Sequence, residues 1–273
     1  MKLGVIIGLE ENVEESFAQL EKLGFESCQL RCWTPSLYTA ENARRVADLS
    51  KKHGIEISAL WAGWRGPAVW DFYDGPLTLG LVPREYRAMR CEDLMKGADF
   101  AVKIGVTDVV THAGFLPEVP TSSEYAEVTS VLRYVAKYCK DRGRYFLFET
   151  GQETPVTLRR VIEDIGTDNL GINLDPANLI LYGKASPTDA LDVFGKYVRG
   201  IHAKDAFYPT DGKNLGREVP VGDGLVNFPV LISKLKALGY DGSITIEREI
   251  SGPQQIKDIM SAKALLEALT AKE

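Results

Sequence analysis

Short apolar runs alternate with amphipathic segments along the whole chain. The first run, Lys2–Gly8, has the character of a buried strand, and the following Val13–Gly24 has Phe17, Leu20 and Leu23 on one stripe, as an amphipathic helix does. The predicted strands are Lys2–Gly8, Ser27–Cys32, Ile55–Ala62, Asp108–His112, Tyr145–Glu149, Leu170–Asp175, Val198–Asp205 and Ser243–Glu249. The predicted helices are Val13–Gly24, Glu41–Gly54, Arg84–Gly105, Ser122–Gly143, Pro155–Gly166, Pro187–Tyr197, Phe228–Gly239 and Pro253–Leu269.

This order of elements predicts one closed barrel of parallel strands. Strands that alternate with helices form parallel sheets through right-handed crossovers, and roughly 250 residues suffice for eight strands and eight helices. No linker composition divides the chain, so we expect a single (β/α)8 TIM-barrel domain over residues 1–273. The rival is an open doubly wound sheet, which more commonly has a glycine-rich phosphate turn after its first strand. Gly8-Leu9-Glu10-Glu11 is not such a turn.

One stretch interrupts the alternation. Between Gly63 and Pro83 the chain carries Trp64, Trp70 and other aromatic residues among glycines and prolines, just beyond Trp61. A loop of about 20 residues inside a compact domain is more often functional than idle.

Four of the apolar strands end in a residue that can bind a metal ion. The fifth to eighth strands in chain order have Glu149, Asp175, His202 and Glu247 at or near their carboxyl ends. In a parallel barrel these ends converge on one face, where such folds place their chemistry, and adjacent strands lie about 5 Å apart. Three carboxylates and an imidazole suit one divalent cation. Each acidic residue alone would more often be solvated or cap a helix, so their joint occurrence predicts a metal-dependent enzyme.

Other polar residues near these ends have two interpretations each. His112 ends the fourth strand beside Glu149 and either contacts the substrate or supports a metal-binding residue, or else is a structural histidine. Asn178 follows Asp175 by three residues and either points at the same pocket or caps a helix. Lys204 and Arg217 either bind substrate hydroxyls or a phosphate, or form surface ion pairs.

Composition limits the partners and the compartment. With 45% apolar and 26% charged residues the chain is an ordinary globular protein, and its formal net charge of −6 argues against general nucleic-acid binding. No apolar run reaches the roughly 18 residues of a membrane span, and no signal-like segment precedes the first strand. The four cysteines have no zinc-type spacing. We expect reduced thiols, a cytoplasmic location and no membrane or nucleic-acid partner, with a homo-oligomer left open.

The residues around the strand ends resemble a known family. Asp175-Pro176-Ala177-Asn178, His202-Ala203-Lys204-Asp205, the stretch 217–224 and Ile244-Thr245-Ile246-Glu247 are similar to the sugar phosphate isomerase/epimerase family. This is the xylose-isomerase-like barrel superfamily, which includes ketose 3-epimerases, inosose dehydratases and apurinic endonucleases. The resemblance covers essentially the whole chain and is most specific over residues 148–249.

The resemblance implies a cofactor and a set of roles. One Mn²⁺-type ion would be held by Glu149, Asp175, His202 and Glu247, with Mg²⁺, Co²⁺ or Zn²⁺ as alternatives. In the ketose 3-epimerases the two glutamates also act as acid and base, which by position gives Glu149 and Glu247, and Arg217 would hold the substrate near the metal. Where many members have a histidine after the aspartate, this chain has Asn178, so the substrate contact there differs.

These groups support a definite chemistry. Removal of a proton next to a carbonyl creates an enediolate, whose negative oxygen a divalent cation compensates by several kcal/mol. Two carboxylates on opposite faces of a bound sugar can remove and return the proton. The predicted function is therefore a sugar isomerase or epimerase of the keto-sugar 3-epimerase type. If a β-oxygen leaves instead, the same carboxylates give a lyase or dehydratase of a keto-sugar, keto-inositol or keto-glycoside.

Further alternatives concern the substrate and the class of protein. Trp61, Trp64 and Trp70 fit a sugar that stacks on aromatic faces, or else a hydrophobic lid or subunit contact. An apurinic endonuclease would need more than the three histidines of this chain for a multi-zinc cluster. A non-catalytic sugar-binding barrel would have little use for four metal-binding residues.

Overall fold

Eight parallel strands close into a barrel in the computed structural model, which describes residues 1–10 and 12–271. The eight barrel strands are β1 (Lys2–Gly8), β2 (Ser27–Cys32), β3 (Glu56–Ala62), β4 (Asp108–Thr111), β5 (Tyr145–Glu149), β6 (Leu170–Leu174), β7 (Val198–Ala203) and β10 (Ser243–Ile246). Two further strands, β8 (Asp205–Phe207) and β9 (Arg217–Val219), form a separate pair. The helices are α1 (Val13–Lys22), α2 (Ala40–His53), α3 (Gly75–Thr78), α4 (Arg84–Lys103), α5 (Ser123–Lys140), α6 (Pro155–Ile165), α7 (Pro176–Leu181), α8 (Pro187–Phe194), α9 (Phe228–Ala237) and α10 (Pro253–Thr270).

The order of strands around the barrel is β1, β10, β7, β6, β5, β4, β3, β2, and back to β1. All of these neighbouring strands pair in parallel. Closure confirms the predicted (β/α)8 TIM barrel and rules out the open doubly wound sheet, which would leave two edge strands. None of the helices in the described residues combines the length and apolar character needed to cross a bilayer.

Helix boundaries follow capping residues in the sequence. The Thr154 side chain accepts the Thr157 N–H at the start of α6, as an N-cap residue does. Helices α2 and α6 end at Gly54 and Gly166, whose φ values of 65° and 67° lie in the left-handed region that favours glycine. These caps explain why the predicted and observed ends of both helices differ by little.

Successive residues of each strand face different environments. On β2, Cys28, Leu30 and Cys32 pack in the apolar layer beneath the helices, whereas Gln29 faces into the barrel and reaches Asn173 of β6. The barrel interior is therefore mixed, with buried polar residues next to a small apolar cluster that includes Trp61 and Leu147.

The seventh barrel strand is shorter than predicted, and a hairpin follows it. The prediction was Val198–Asp205, but β7 ends at Ala203, and Asp205 begins β8, which pairs antiparallel with β9. The Asp205 carboxylate accepts the backbone N–H groups of Gly224 and Val226, at 3.1 and 3.0 Å. A Cβ at Gly224 would lie 2.2 Å from Asp205 Oδ1, so this position requires glycine. Part of the stretch 217–224 thus has a structural role.

The long aromatic loop before α4 is held by a buried arginine. Arg90 is 0% exposed and donates to the carbonyl oxygens of Arg65 at 3.2 Å, Pro67 at 2.8 Å, and Thr78 and Gly80 at 2.7 Å. Because a guanidinium has five N–H donors, one side chain can tie both ends of the loop to α4.

We expect Arg90→Met to lower the free energy of unfolding by about 3 kcal/mol or more, because four carbonyl oxygens lose their donor. Urea denaturation monitored by tryptophan fluorescence measures the change. Arg84→Met on the same helix is the matched control, since the Arg84 side chain is 64% exposed and pairs with Glu127. Exposed pairs contribute about 0–1 kcal/mol, so equal losses in the two variants would contradict the role given to Arg90.

Candidate metal centre and the cavity above it

Four side chains with metal-binding atoms meet at the carboxyl end of the barrel. Glu149 ends β5, Asp175 directly follows β6, His202 lies on β7 and Glu247 directly follows β10. These four strands are consecutive around the barrel. One ligand atom from each residue lies within 4.8 Å of the other three. The structure therefore brings the whole predicted ligand set together.

Two atoms of the ligand set are buried without a hydrogen-bond partner among the described residues, Asp175 Oδ2 and His202 Nδ1. His202 Nδ1 lies 3.2 Å from Glu247 Oε2, 3.4 Å from Glu149 Oε1 and 3.7 Å from Asp175 Oδ2. Buried polar atoms without partners are rare and call for an explanation such as an ion. Carboxylate oxygens with one imidazole nitrogen form a donor set for a divalent cation, so these residues fit the predicted metal.

The charges in this centre depend on one another. Burial alone would raise the pKa of Glu149, but the positive charges of His112 and His202 lower it well below its ordinary value. Burial would also raise the pKa of Glu247, but Lys204 and His202 lower it to about 2. Burial would lower the pKa of His202, yet the carboxylates of Glu149 and Glu247 raise it well above its ordinary value. The buried carboxylates require positive charge here, which a divalent cation would supply.

Two side chains from neighbouring strands orient the Glu149 carboxylate. Trp61 Nε1 donates to Oε2, and His112 Nε2 lies 3.2 Å from Oε1. Trp61 and His112 are themselves buried. Both are predicted substrate contacts, and the structure places both in the wall of the cavity and in contact with the Glu149 carboxylate.

Asp175 is oriented by the start of α7. Its Oδ1 accepts the Asn178 N–H at 2.9 Å, and its own N–H donates to Thr150 Oγ1 at 2.9 Å. This N-cap arrangement leaves Oδ2 as the atom available to a cation. Asn178 lies inside α7, where Asp175 and not Asn178 is the capping residue, and its side chain lines the cavity. Of the two interpretations of Asn178, its position therefore agrees with the one that points at the pocket.

Lys204 places a positive charge beside the ligand set. Its Nζ lies 3.1 Å from Glu249 Oε2, 3.5 Å from both Glu247 Oε2 and Asn178 Oδ1, and 3.7 Å from Asp175 Oδ2. Burial would lower the pKa of Lys204, but the carboxylates of Glu247 and Glu249 raise it well above its ordinary value. Lys204 is therefore a buried cation at the floor of the cavity, within reach of a ligand held there.

A cavity of about 500 Å³ opens above the ligand set. Trp33, Trp61, Trp70 and Tyr182 contribute aromatic faces to its wall. The ring centroids of Trp33 and Trp61 lie 4.5 Å apart, and those of Trp70 and His112 lie 4.9 Å apart. A cavity of this size with aromatic walls and a charged floor suits a small polar ligand with apolar ring faces.

Two predicted substrate contacts lie elsewhere. Trp64 is buried next to Trp33 and Trp61, with ring centroids at 5.5 and 6.1 Å, and is absent from the cavity wall. Arg217 is exposed on β9, where its Cζ lies 5.2 Å from the ring centroid of Phe207. The expectation for Arg217 came from a resemblance along the sequence, whereas its position follows from the pairing of Arg217 with Phe207 in the hairpin.

The sequence analysis missed several residues at the site. Arg31, Trp33 and Tyr182 line the cavity, and Gln29 contacts His202. Gln29 and Arg31 alternate with the apolar residues Cys28, Leu30 and Cys32 of β2, and this period of two was a signal that could have found them. Trp33 directly follows β2, at a strand end that carries neither a carboxylate nor a histidine.

Glu153 is a further buried carboxyl group that the sequence analysis missed. It lies in the loop after β5, is 3% exposed, and its Oε1 has no hydrogen-bond partner among the described residues. Burial raises the pKa of Glu153 to about 7, although the positive charge of His112 opposes this shift. A carboxyl in this state can hold or release a proton near neutral pH.

Comparison with known proteins assigns the chain to a family. Residues 17–269 match the family described as the xylose isomerase-like TIM barrel, and the chain belongs to that family. The similar proteins include epimerases and dehydratases, so the family is one of enzymes.

Individual relatives differ in their closeness to this chain. A xylose isomerase domain protein from Planctomyces limnophilus is 34% identical, with a TM-score of 0.91 over 98% of this chain and 96% of that one. A D-tagatose 3-epimerase-like protein is 24% identical, with a TM-score of 0.76 over 98% of this chain and 97% of that one. An inosose dehydratase of Lacticaseibacillus casei is 24% identical over 149 residues, which span 47% of this chain and 48% of the relative.

We expect His202→Ala and Asp175→Asn each to weaken Mn²⁺ binding by about 100-fold or more, because each removes a ligand and not merely a residue that supports one. Isothermal titration calorimetry on protein stripped with a chelator measures the affinity. His53→Ala is the matched control, since His53 ends α2 and pairs with Glu21 at 2.7 Å. Unchanged affinity in His202→Ala would remove this residue from the ligand set.

We expect Glu153→Gln to stabilise the metal-free protein, with a gain that grows as the pH rises. The folded protein holds the Glu153 proton to about pH 7, whereas the unfolded chain releases it near pH 4.3, so this carboxyl costs stability above that pH. The gain should reach about 3 kcal/mol at pH 8 and fall below about 1 kcal/mol near pH 4.5. Urea denaturation at both pH values tests this, and a gain independent of pH would contradict it.

Proposed function

We propose that this protein is a divalent-metal-dependent sugar isomerase or epimerase of the keto-sugar 3-epimerase type, which removes a proton next to a carbonyl. The single observation that carries the proposal is the approach of Glu149, Asp175, His202 and Glu247 to within 4.8 Å at the mouth of the barrel. The cavity above them and the similarity to a D-tagatose 3-epimerase-like protein support it.

The four residues would hold one cation, with Mn²⁺ as the first ion to test and Mg²⁺, Co²⁺ and Zn²⁺ as alternatives. When bound, such a cation compensates the negative charge that develops on the carbonyl oxygen. This would stabilise the transition state by several kcal/mol. The orphaned Asp175 Oδ2 and His202 Nδ1 support this assignment, because a ligand role gives both atoms a partner.

Glu149 and Glu247 are the proposed acid and base. They are the outer members of the ligand set, on β5 and β10, with β6 and β7 between them. One carboxylate takes a proton from one face of the sugar, and the other returns a proton to the opposite face. Trp61 and His112 hold the first carboxylate in place, and Lys204 keeps the second one ionised.

The walls of the cavity orient the substrate in this proposal. Lys204 and Asn178 donate hydrogen bonds to oxygen atoms of the sugar, and His112 contacts it beside Glu149. Trp33 and Trp70 present aromatic faces to the C–H faces of the ring. These contacts fix which carbon stands next to the two carboxylates.

We also propose a cytoplasmic location. The four cysteines, Cys28, Cys32, Cys91 and Cys139, are free and buried. Thiols in this state suit a reducing compartment.

A lyase or dehydratase of a keto-sugar, keto-inositol or keto-glycoside is the second candidate. The similarity to an inosose dehydratase favours it, as does an aromatic wall that can also receive an aglycone. In this reaction one carboxylate removes the same proton, and the electron pair then expels a β-oxygen, to which the other carboxylic acid gives a proton.

With Mn²⁺ present, we expect deuterium from D₂O to enter the carbon next to the carbonyl of an accepted substrate, found by screening ketoses, keto-inositols and keto-glycosides by proton NMR. Glu149→Gln and Glu247→Gln should each lower the exchange rate by about 100-fold or more, because each removes a proton-transfer group. Glu56→Gln is the matched control, since Glu56 lies at the amino end of β3 and pairs with Lys2.

The metal content of each variant is measured in the same samples, because both glutamates are also proposed ligands. A metal-loaded Glu149→Gln or Glu247→Gln protein with unchanged exchange would remove the acid/base assignment. An epimeric product without loss of water or aglycone selects the epimerase, and an unsaturated product selects the lyase.

A further inference from the structure

We propose that Gln29 is a positioning residue of the metal centre, which holds the His202 ring with Nδ1 toward the three carboxylates. His202 Nε2 lies 2.7 Å from Gln29 Oε1, and the two side chains are 0% and 2% exposed. The contact crosses the barrel from β7 to β2, which have β10 and β1 between them, so strand pairing alone does not produce it. This inference rests on the metal centre proposed above.

The contact determines which ring nitrogen faces the ligand set. A glutamine oxygen can only accept a hydrogen bond, so Nε2 of His202 carries the hydrogen that Gln29 accepts. Nδ1 is then the atom directed at Glu149 Oε1 and Glu247 Oε2, at 3.4 and 3.2 Å. If the ring turned over, a buried N–H and a buried oxygen would both lose their partner.

Asn173 pairs with the other end of the Gln29 amide. Gln29 Nε2 donates to Asn173 Oδ1 at 3.2 Å, which leaves Oε1 as the atom that meets His202. The reversed amide would bring two donors together at the His202 ring. Asn173 is 1% exposed, so the three side chains form one buried chain of contacts beneath the cavity.

A glycine on β7 leaves the space that Asn173 needs. Gly200 is the register partner of Asn173, and a Cβ at Gly200 would lie 2.4 Å from Asn173 Oδ1. Gly200 also stands two residues before His202 on the same strand. One series of contacts thus leads from the barrel interior to the His202 ring, in the order Gly200, Asn173, Gln29, His202. A change at Gly200 or Asn173 is therefore expected to move the ring.

The matched substitutions follow from this geometry. Gln29→Leu removes the acceptor and keeps the side-chain volume. The volume must be kept because Gln29 also lines a cavity of about 440 Å³ at the other barrel mouth. Water from this cavity could fill a smaller side chain's place and replace the lost acceptor. Gln29→Glu keeps an acceptor toward His202, and the Asn173 amide can turn to donate through Nδ2, which has no partner among the described residues. Thr245→Val is the control, because Thr245 is the register partner of His202 and is 2% exposed.

Titration calorimetry with Mn²⁺ on protein stripped of metal with a chelator gives the first readout. Gln29→Leu should bind Mn²⁺ about 10- to 100-fold more weakly than the wild type, as expected when a metal-binding histidine loses its hydrogen-bond acceptor. Gln29→Glu and Thr245→Val should keep the wild-type affinity to within about threefold. This rescue by the conservative variant separates positioning from simple packing.

The ring hydrogen of His202 gives a second readout, which a purely structural role would not move. In Zn²⁺-loaded protein labelled with ¹⁵N-histidine, the Nε2–H proton should be protected from exchange in the wild type and in Gln29→Glu. In Gln29→Leu this proton should exchange rapidly and its resonance should shift upfield. The same signal in all three proteins would overturn the proposal.

Each affinity result decides the proposal. Wild-type affinity in Gln29→Leu, or an equal loss in Gln29→Leu and Gln29→Glu, would overturn the role of Gln29 alone. Failure of the wild-type protein to bind Mn²⁺, Mg²⁺, Co²⁺ or Zn²⁺ would overturn the metal centre as well. If Gln29→Leu does not fold, Gly200→Ala serves as the second test: displacement of Asn173 should weaken Mn²⁺ binding several-fold, and unchanged binding would overturn the chain of contacts.

Discussion

Three carboxylates this close together need positive charge nearby, and much of the site follows from that need. Glu149 and Asp175 are buried and Glu247 is partly buried, and the three lie within a few ångströms of one another at the barrel mouth. In the metal-free protein, protonated His202 and Lys204 supply part of this charge, as their raised pKa values indicate. A divalent cation held by His202 Nδ1 would take the place of the His202 proton and add the charge of the metal, so the charge pattern and the proposed chemistry answer the same electrostatic requirement.

Structures outside the barrel wall hold this site in shape. The guanidinium of Arg90 anchors the loop that carries Trp70, and the Asp205 carboxylate organises the turn after β9. Glu218 of β9 accepts the Glu249 N–H at 3.1 Å and so fastens the hairpin to the chain just beyond Glu247. The surroundings of the site therefore depend on long-range hydrogen bonds as well as on strand pairing, most directly at Glu247, where the following residues are fastened to β9.

Some features of the site follow from the local sequence pattern, and others follow only from tertiary contacts. The barrel and the convergence of four residues that could hold a metal ion were predictable, because apolar runs mark the strands and a residue at a strand end has little freedom in where it lies. Asn178 was predictable only as two alternatives, and the structure decides between them, because Asp175 caps α7 and Asn178 lines the cavity. Arg217 and Trp64 could not be placed from sequence, because they lie in a hairpin and a loop whose paths depend on Asp205 and Arg90.

The sequence by itself determined the closed (β/α)8 barrel and the convergence of Glu149, Asp175, His202 and Glu247, since both follow from the order of strands and the period of two along each strand. Only the tertiary structure decided how His202 is turned, because its Gln29 contact joins residues 173 positions apart on strands that do not pair. Contacts of that kind depend on the dimensions of the closed barrel interior, and no local pattern of residues encodes them.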